Sequence, residues 1–304
     1  MIKPPALGAS SVVGVLAPAS PIRREFLDRG LAELSALGFR TRLGRSIDSS
    51  FRYTAGDAHQ RAADLVDLWS DPEVSAIFCA RGGYGSLELL EGLDVERLQA
   101  TPKIFLGSSD ATALLCFLAA RAGVVSFHGP MVAQQIARGK SAYDADNLRA
   151  LLGNAEPLGN LPAPGVRMLH SGSAEGVLLG GCLSLVTCLV GTPYLPSFAG
   201  AIVFLEDTAV KPYQIDRMLW QLRASGALEG VRALVFGEMP GCEQHPGQGY
   251  QLDDVLRDAT AEIGVPVLSG FPSGHCVSPA KTIPFGVRAG VDREGLTLLE
   301  GAVV

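Results

Sequence analysis

The chain predicts an α/β protein: a mostly parallel sheet with helices on both faces, followed by a second, more β-rich part. Three observations lead there. Short apolar runs alternate with amphipathic stretches through residues 12–121, and repeated βαβ units of that kind set strands parallel with helices on both sides. An apolar run also turns sharply into helix-forming sequence near Ser109. Finally, the texture changes at residues 153–173, which are rich in Pro, Gly and Asn, the composition of a linker.

Taken in order, Val12–Leu16 reads as the first strand. Residues 22–37 place Phe26, Leu31, Leu34 and Leu37 at helical spacing, and Gly38 follows as a C-cap. Residues 39–43 form the next strand. Residues 58–69 are helical, with Ala62, Leu65, Val66 and Trp69 on one face, and 75–79 are strand. The glycine cluster Arg81-Gly82-Gly83-Tyr84-Gly85 leads into a helix over 86–90. Strand 104–106 and helix 111–121 complete the next unit. The linker 153–173 then separates an N-terminal domain, 1–152, from a C-terminal one, 174–304. Strands are expected at 166–169, 174–179, 201–205, 233–236 and 296–299, with helices at 183–190, 213–224 and 252–263.

Composition removes several function classes. With 304 residues, 47% of them hydrophobic, the chain is long enough to bury a large core. A net charge of −6 argues against nucleic acid, whose binders carry a basic face. No apolar stretch approaches the length of about 20 residues that a membrane span needs. Six cysteines occur without any CxxC pair, which favours free thiols in a reducing compartment over a disulfide framework or a zinc site. The apolar stretch 12–20 is short, broken by Gly14 and Pro18, and preceded only by Lys3. It fits a strand better than a secretory leader, so a cytoplasmic setting is expected.

The chemistry concentrates at Gly107-Ser108-Ser109-Asp110. A strained strand-to-helix turn exposes a serine hydroxyl, and the helix N-terminus behind it offers N–H groups to an oxyanion. Such a nucleophile needs a base and an orienting carboxylate. His59 opens a helix, and His170 and His245 sit in polar loops. His128, in a turn after the elbow helix, and His275, in the loop Ser273-Gly274-His275, remain level on spacing alone. Glu206 and Asp207 follow an apolar strand, where a carboxylate needs a hydrogen-bonding partner. The turn 82–85 fits an oxyanion donor, a phosphate cradle or a plain tight turn. The absence of GxGxxG, Walker and HExxH patterns weighs against a nucleotide-binding protein and a metallohydrolase.

Seven segments, in order, resemble the LD-carboxypeptidase family of serine peptidases, which includes murein tetrapeptide carboxypeptidases and microcin C immunity peptidases. They are Val15-Leu16-Ala17-Pro18-Ala19-Ser20, Arg61-Ala62-Ala63-Asp64-Leu65 with Ala80-Arg81-Gly82-Gly83-Tyr84-Gly85, Gly107-Ser108-Ser109-Asp110, Phe127-His128-Gly129-Pro130-Met131, Phe204-Leu205-Glu206-Asp207, Pro212-Tyr213-Gln214-Ile215-Asp216-Arg217, and Gly274-His275 with Pro284-Phe285-Gly286. The family pattern has a tyrosine where Ser108 stands. Alignment on Gly107 and Asp110 makes Ser109 the nucleophile, with Ser108 the alternative. The resemblance implies Glu206 as acid and His275 as base, which breaks the tie with His128. It also implies a Rossmann-like N-terminal domain and a barrel-like C-terminal one, with the site between them. Gly83 and Asp110 are then expected to supply the oxyanion N–H groups, and Arg81 to meet the substrate's terminal carboxylate. The implied substrate is a small peptide with a terminal D-amino acid, hydrolysed without metal or organic cofactor by a homodimer.

Overall fold

Two sheets organise the chain, and both put the carboxyl ends of parallel strands at the same cleft. A computed structural model describes residues 1–243 and 247–304; His245 lies outside the described residues. The first half contains β1 (Val12–Leu16), α1 (Arg24–Ala36), β2 (Arg40–Leu43), α2 (Ala58–Ser70), β3 (Val74–Cys79), α3 (Val95–Ala100), β4 (Ile104–Gly107), α4 (Thr112–Phe117), β5 (Ser126–His128) and α5 (Ala145–Gly153). The second half contains β6 (Gly159–Leu161), β7 (Arg167–His170), β8 (Ala174–Cys182), α6 (Leu183–Cys188), β9 (Ala201–Glu206), α7 (Pro212–Ala224), β10 (Ala233–Gly237), α8 (Leu252–Thr260), β11 (Val267–Phe271), β12 (Ile283–Phe285), β13 (Arg288–Asp292) and β14 (Gly295–Leu298).

In the first sheet β2, β1, β3, β4 and β5 run parallel in that order. This is the 2-1-3-4-5 order of a doubly wound sheet, which binds ligands beyond the carboxyl ends of its strands where the order reverses. Strands β1 and β4 are apolar and buried throughout, as strands covered on both faces must be. At the edge, β2 exposes Arg40 and Arg42, charges that discourage pairing with another chain. Helix α2 starts where Asp57 accepts the Gln60 N–H while the Gln60 side chain accepts from the Asp57 N–H, a capping box that satisfies two end donors at once.

The second sheet has the order β6-β14-β13-β8-β9-β10-β11-β7 and curls into a half-barrel. Its middle, β8 to β11, is parallel, and antiparallel strands flank it on both sides. Residues 153–173, read from composition as a linker, contain its two edge strands, β6 and β7. Late in the chain, β12 returns to the first sheet and pairs antiparallel with β5.

Some elements differ from expectation. The segment after the glycine cluster is a 3-10 turn over Ser86–Gly92 rather than an α-helix. The elbow helix opens with a 3-10 turn at Ser109–Ala111 and widens into a π turn over Leu118–Ala122. His128 does not sit in a turn; it ends β5, a buried strand of three residues, too short to show a period.

Candidate active site

The strand β4 ends at Gly107, and Ser108 continues extended with its side chain buried. Ser109 then adopts φ +58°, the left-handed region, before the helical turns begin. For a non-glycine residue this costs about 1–3 kcal/mol and persists only where the surroundings enforce it. The enforcement is visible. Asp110 is buried and its carboxylate accepts the Ser86 N–H at 2.8 Å, tying the elbow to the end of the glycine cluster. Burial pushes the Asp110 carboxyl up, against the donated Ser86 bond and the nearby Arg61 charge. Arg61, fully buried on α2, donates to the carbonyls of Pro18, Gly56 and Gly85 and pairs with Glu88.

Gly82 lies directly against the serine. A Cβ added there would fall 2.7 Å from Ser109 Cβ, 2.8 Å from Ser109 Oγ and 3.3 Å from the Asp110 backbone nitrogen. No side chain fits, so the backbone of the 82–85 turn approaches the hydroxyl. Ser20, beyond the end of β1, holds this turn by accepting the Tyr84 N–H through its Oγ.

Across the cleft, Glu206 is the last residue of β9 and is fully buried. Its Oε2 accepts two hydrogen bonds from His275, from the backbone N–H and from Nδ1, each 2.8 Å. Donation from Nδ1 leaves Nε2 as the basic nitrogen. Burial alone would raise the Glu206 pKa, but the charges and hydrogen bonds of His275 and His128 hold the carboxyl well below the usual range. Burial likewise pulls the His275 pKa down, and the Glu206 carboxylate outweighs it and holds the value up. Gly274 makes this packing possible: its φ is +74°, and a Cβ would meet Glu206 Cδ and His128 Cε1, each at 2.6 Å.

The remaining candidates separate by burial. The His275 side chain is 21% exposed, whereas His128 is completely buried, with Nδ1 3.0 Å from Ser273 Oγ. Only His275 reaches the cleft. Asp207 accepts the N–H and hydroxyl of Ser184 at the start of α6 and makes no hydrogen bond to His275. The structure joins Glu206 to His275 directly. It does not join Ser109 to His275, since Ser109 Oγ has no hydrogen-bond partner among the described residues. Catalytic hydrogen bonds commonly tighten only once substrate is bound.

His275 lines a cleft of about 430 Å³ with Arg23, Arg81 and Arg138 and the apolar Ile22, Phe26 and Pro240. That size suits a small ligand. Arg81 donates to the Pro21 carbonyl, while its Nε is buried without a partner. Cys276 also lines the cleft, but burial pushes its thiol up to about 12, so it is no rival nucleophile. Arg138, at the cleft, and Arg61 and Ser20, which hold the turns beside it, were not singled out as site residues in the sequence. Arg61 and Ser20 lay inside motifs quoted for the resemblance, whereas Arg138 belongs to no motif.

Comparison with known proteins agrees with this layout. Residues 13–129 match the model of the LD-carboxypeptidase N-terminal domain, and 175–291 that of the LD-carboxypeptidase C-terminal domain. The chain belongs to the LD-carboxypeptidase family. Within it, a Bacillus subtilis (strain 168) protein named "Probable murein peptide carboxypeptidase" is 36% identical, covering 99% of this chain and 95% of its own. The murein tetrapeptide carboxypeptidase of Pseudomonas aeruginosa is 33% identical, covering 86% and 87%. A solved structure of MccF in complex with glutamyl sulfamoyl guanosine superposes with a TM-score of 0.93 over the whole of both chains, at 23% identity. That last likeness speaks to the fold alone.

Proposed function

We propose that this LD-carboxypeptidase is a serine peptidase that hydrolyses the bond between an L-centre and a terminal D-amino acid, releasing D-alanine from a murein tetrapeptide. The observation that carries the assignment is the Glu206–His275 pair, with Nδ1 committed to the carboxylate at 2.8 Å and Nε2 left as base. His275 takes the Ser109 proton as the oxygen attacks the scissile carbonyl. Glu206 keeps the imidazole in the required tautomer and stabilises the imidazolium. The backbone N–H groups of Asp110 and Gly83 receive the oxyanion, a contribution of about 3–4 kcal/mol per donor. His275 then returns the proton to the leaving amine, and water hydrolyses the acyl-serine by the same route.

Arg81, with its unpartnered Nε, Arg138, and Arg23, which also pairs with Glu25, are cations lining the cleft that a terminal carboxylate could meet. A cytoplasmic setting is inferred from six cysteines that are all free thiols. No helix among the described residues is long and apolar enough to cross a membrane. A homodimer is inferred from the family and is checked by sedimentation.

The decisive experiment incubates the protein with murein tetrapeptide and follows D-alanine by mass spectrometry. Ser109→Ala is expected to lower kcat by about 10⁴-fold or more. Unchanged release by that variant would end the serine mechanism. A parallel arm with a peptide–nucleotide conjugate compares kcat/KM for the microcin-immunity type of substrate.

A further inference from the structure

The two oxygens of the Glu206 carboxylate are not equivalent. Oε2 accepts two hydrogen bonds from His275, while Oε1 is buried with no partner. Facing Oε1 at 3.6 Å is His128 Nε2, which is also buried and without a partner. Each such orphan costs folding free energy when left unpaired. Here two of them point at one another.

A proton inventory limits what this pair is. Ser273 Oγ lies 3.0 Å from His128 Nδ1 and 2.9 Å from the Lys281 carbonyl. A hydroxyl has one proton to give. If it goes to the carbonyl, Nδ1 must donate to Ser273, and a neutral ring would then aim a bare Nε2 at a buried carboxylate. Two electron-rich atoms would oppose each other in a low dielectric. A proton on Nε2 removes the conflict, either in the imidazolium or in the Nε2–H tautomer with Ser273 donating to Nδ1.

We propose that His128 carries a proton on Nε2 directed at Glu206 Oε1, and acts as a positioning residue that locks the carboxylate with Oε2 on His275. Glu206 then bridges two imidazoles, one sealed in the core and one facing the cleft. The His128 ring is held by Phe204 at 5.2 Å and Phe285 at 5.6 Å between ring centroids. The groups around the pair that bear charge or titrate include Glu206 and the adjacent Asp207 after β9, His275 and Cys276 from the loop after β11, the Cys242 thiol, and the Cys182 thiol, in register with Glu206 on β8. The neighbouring strands β4 and β12 present Gly107 and Ile283 opposite His128.

The inference rests on the Ser109–Glu206–His275 assignment, and its test separates the two. In protein labelled with ¹⁵N-histidine, NMR reads the protonation of each ring nitrogen directly. A protonated His128 Nε2 is expected, and a bare one overturns the proposal even where Ser109→Ala is inactive. His128→Phe keeps the apolar packing and removes the donor; His128→Gln restores a donor near the Nε2 position. The Phe variant is expected to lose about 10²-fold in kcat, with KM little changed and the acid limb of the kcat/KM profile moved to higher pH. The Gln variant is expected to recover most of both. A Phe variant with wild-type kcat and pH profile overturns the proposal. So do Phe and Gln variants that are equally impaired with the limb unmoved, the mark of a purely structural role. A fully active Ser109→Ala removes the triad and the positioning role with it.

Discussion

Ser109 is a residue whose backbone matters as much as its side chain. Its left-handed φ turns the hydroxyl out of the sheet while Ser108, one position earlier, is buried. The two adjacent serines, which the sequence left as nucleophile and alternative, thus differ in backbone conformation and burial. The imidazole sets the pH behaviour. In the proposed mechanism base catalysis needs neutral His275, and Glu206 holds its pKa above the ordinary value of about 6.5. The kcat/KM profile is therefore expected to rise through an apparent pKa above 6.5. In Glu206→Gln that limb moves to lower pH and kcat falls by about 10⁴-fold, as loss of the orienting carboxylate does elsewhere. A wild-type limb at or below 6.5 would contradict the pairing in solution. Stability carries the same signs. The depressed Glu206 stabilises the fold above its unfolded value of about 4.3 and less so as pH falls through the folded value; the raised His275 stabilises below about 6.5 and less so as pH rises through its own.

At the scale of elements, the site depends on how strand ends are tied together. Arg61 on α2 gathers the carbonyls of Pro18, Gly56 and Gly85, so one helix fixes the ends of β1 and of the glycine turn. Arg61→Leu leaves those acceptors without their donor. It is expected to lower stability by about 3 kcal/mol and to reduce kcat, because the 82–85 turn loses its anchor. Urea denaturation and steady-state kinetics check the two effects; a destabilised variant with undiminished kcat would show that the turn holds its shape unaided. Gly274 plays the corresponding part on the other side. Gly274→Ala adds a Cβ into Glu206 and His128 in a left-handed conformation, and a loss of about 3 kcal/mol or more is expected from denaturation midpoints.

For the molecule as a whole, the two sheets are not independent. A single buried cluster includes residues of both, from Val13 and Phe105 to Val203 and Val291. The Cys182 N–H donates to Thr112 Oγ1 at 2.9 Å, joining β8 to the elbow helix. β12 completes the first sheet from the far end of the chain, and Val304 exchanges backbone hydrogen bonds with Pro4 and Ala6. Heating is therefore expected to give one cooperative calorimetric transition. Two resolved transitions, one per sheet, would show that the shared core is weaker than the contacts imply.

Local pattern was enough for the parallel first half: apolar runs bounded by glycine, the periodicity of α1 and α2, and the abrupt passage from β4 into a helix around Ser109. Ordered motifs were enough to recognise the family. Short or returning strands left no comparable trace, because β5 and β12 have three residues each and acquire strand geometry by pairing with strands distant in sequence, β5 with β4 and β12, and β12 with β5. Spacing could not choose between two histidines either. The family resemblance favoured His275, and the fold adds that aromatic rings enclose His128 while His275 lies at the cleft, a difference in burial that comes from neighbours brought together from distant sequence.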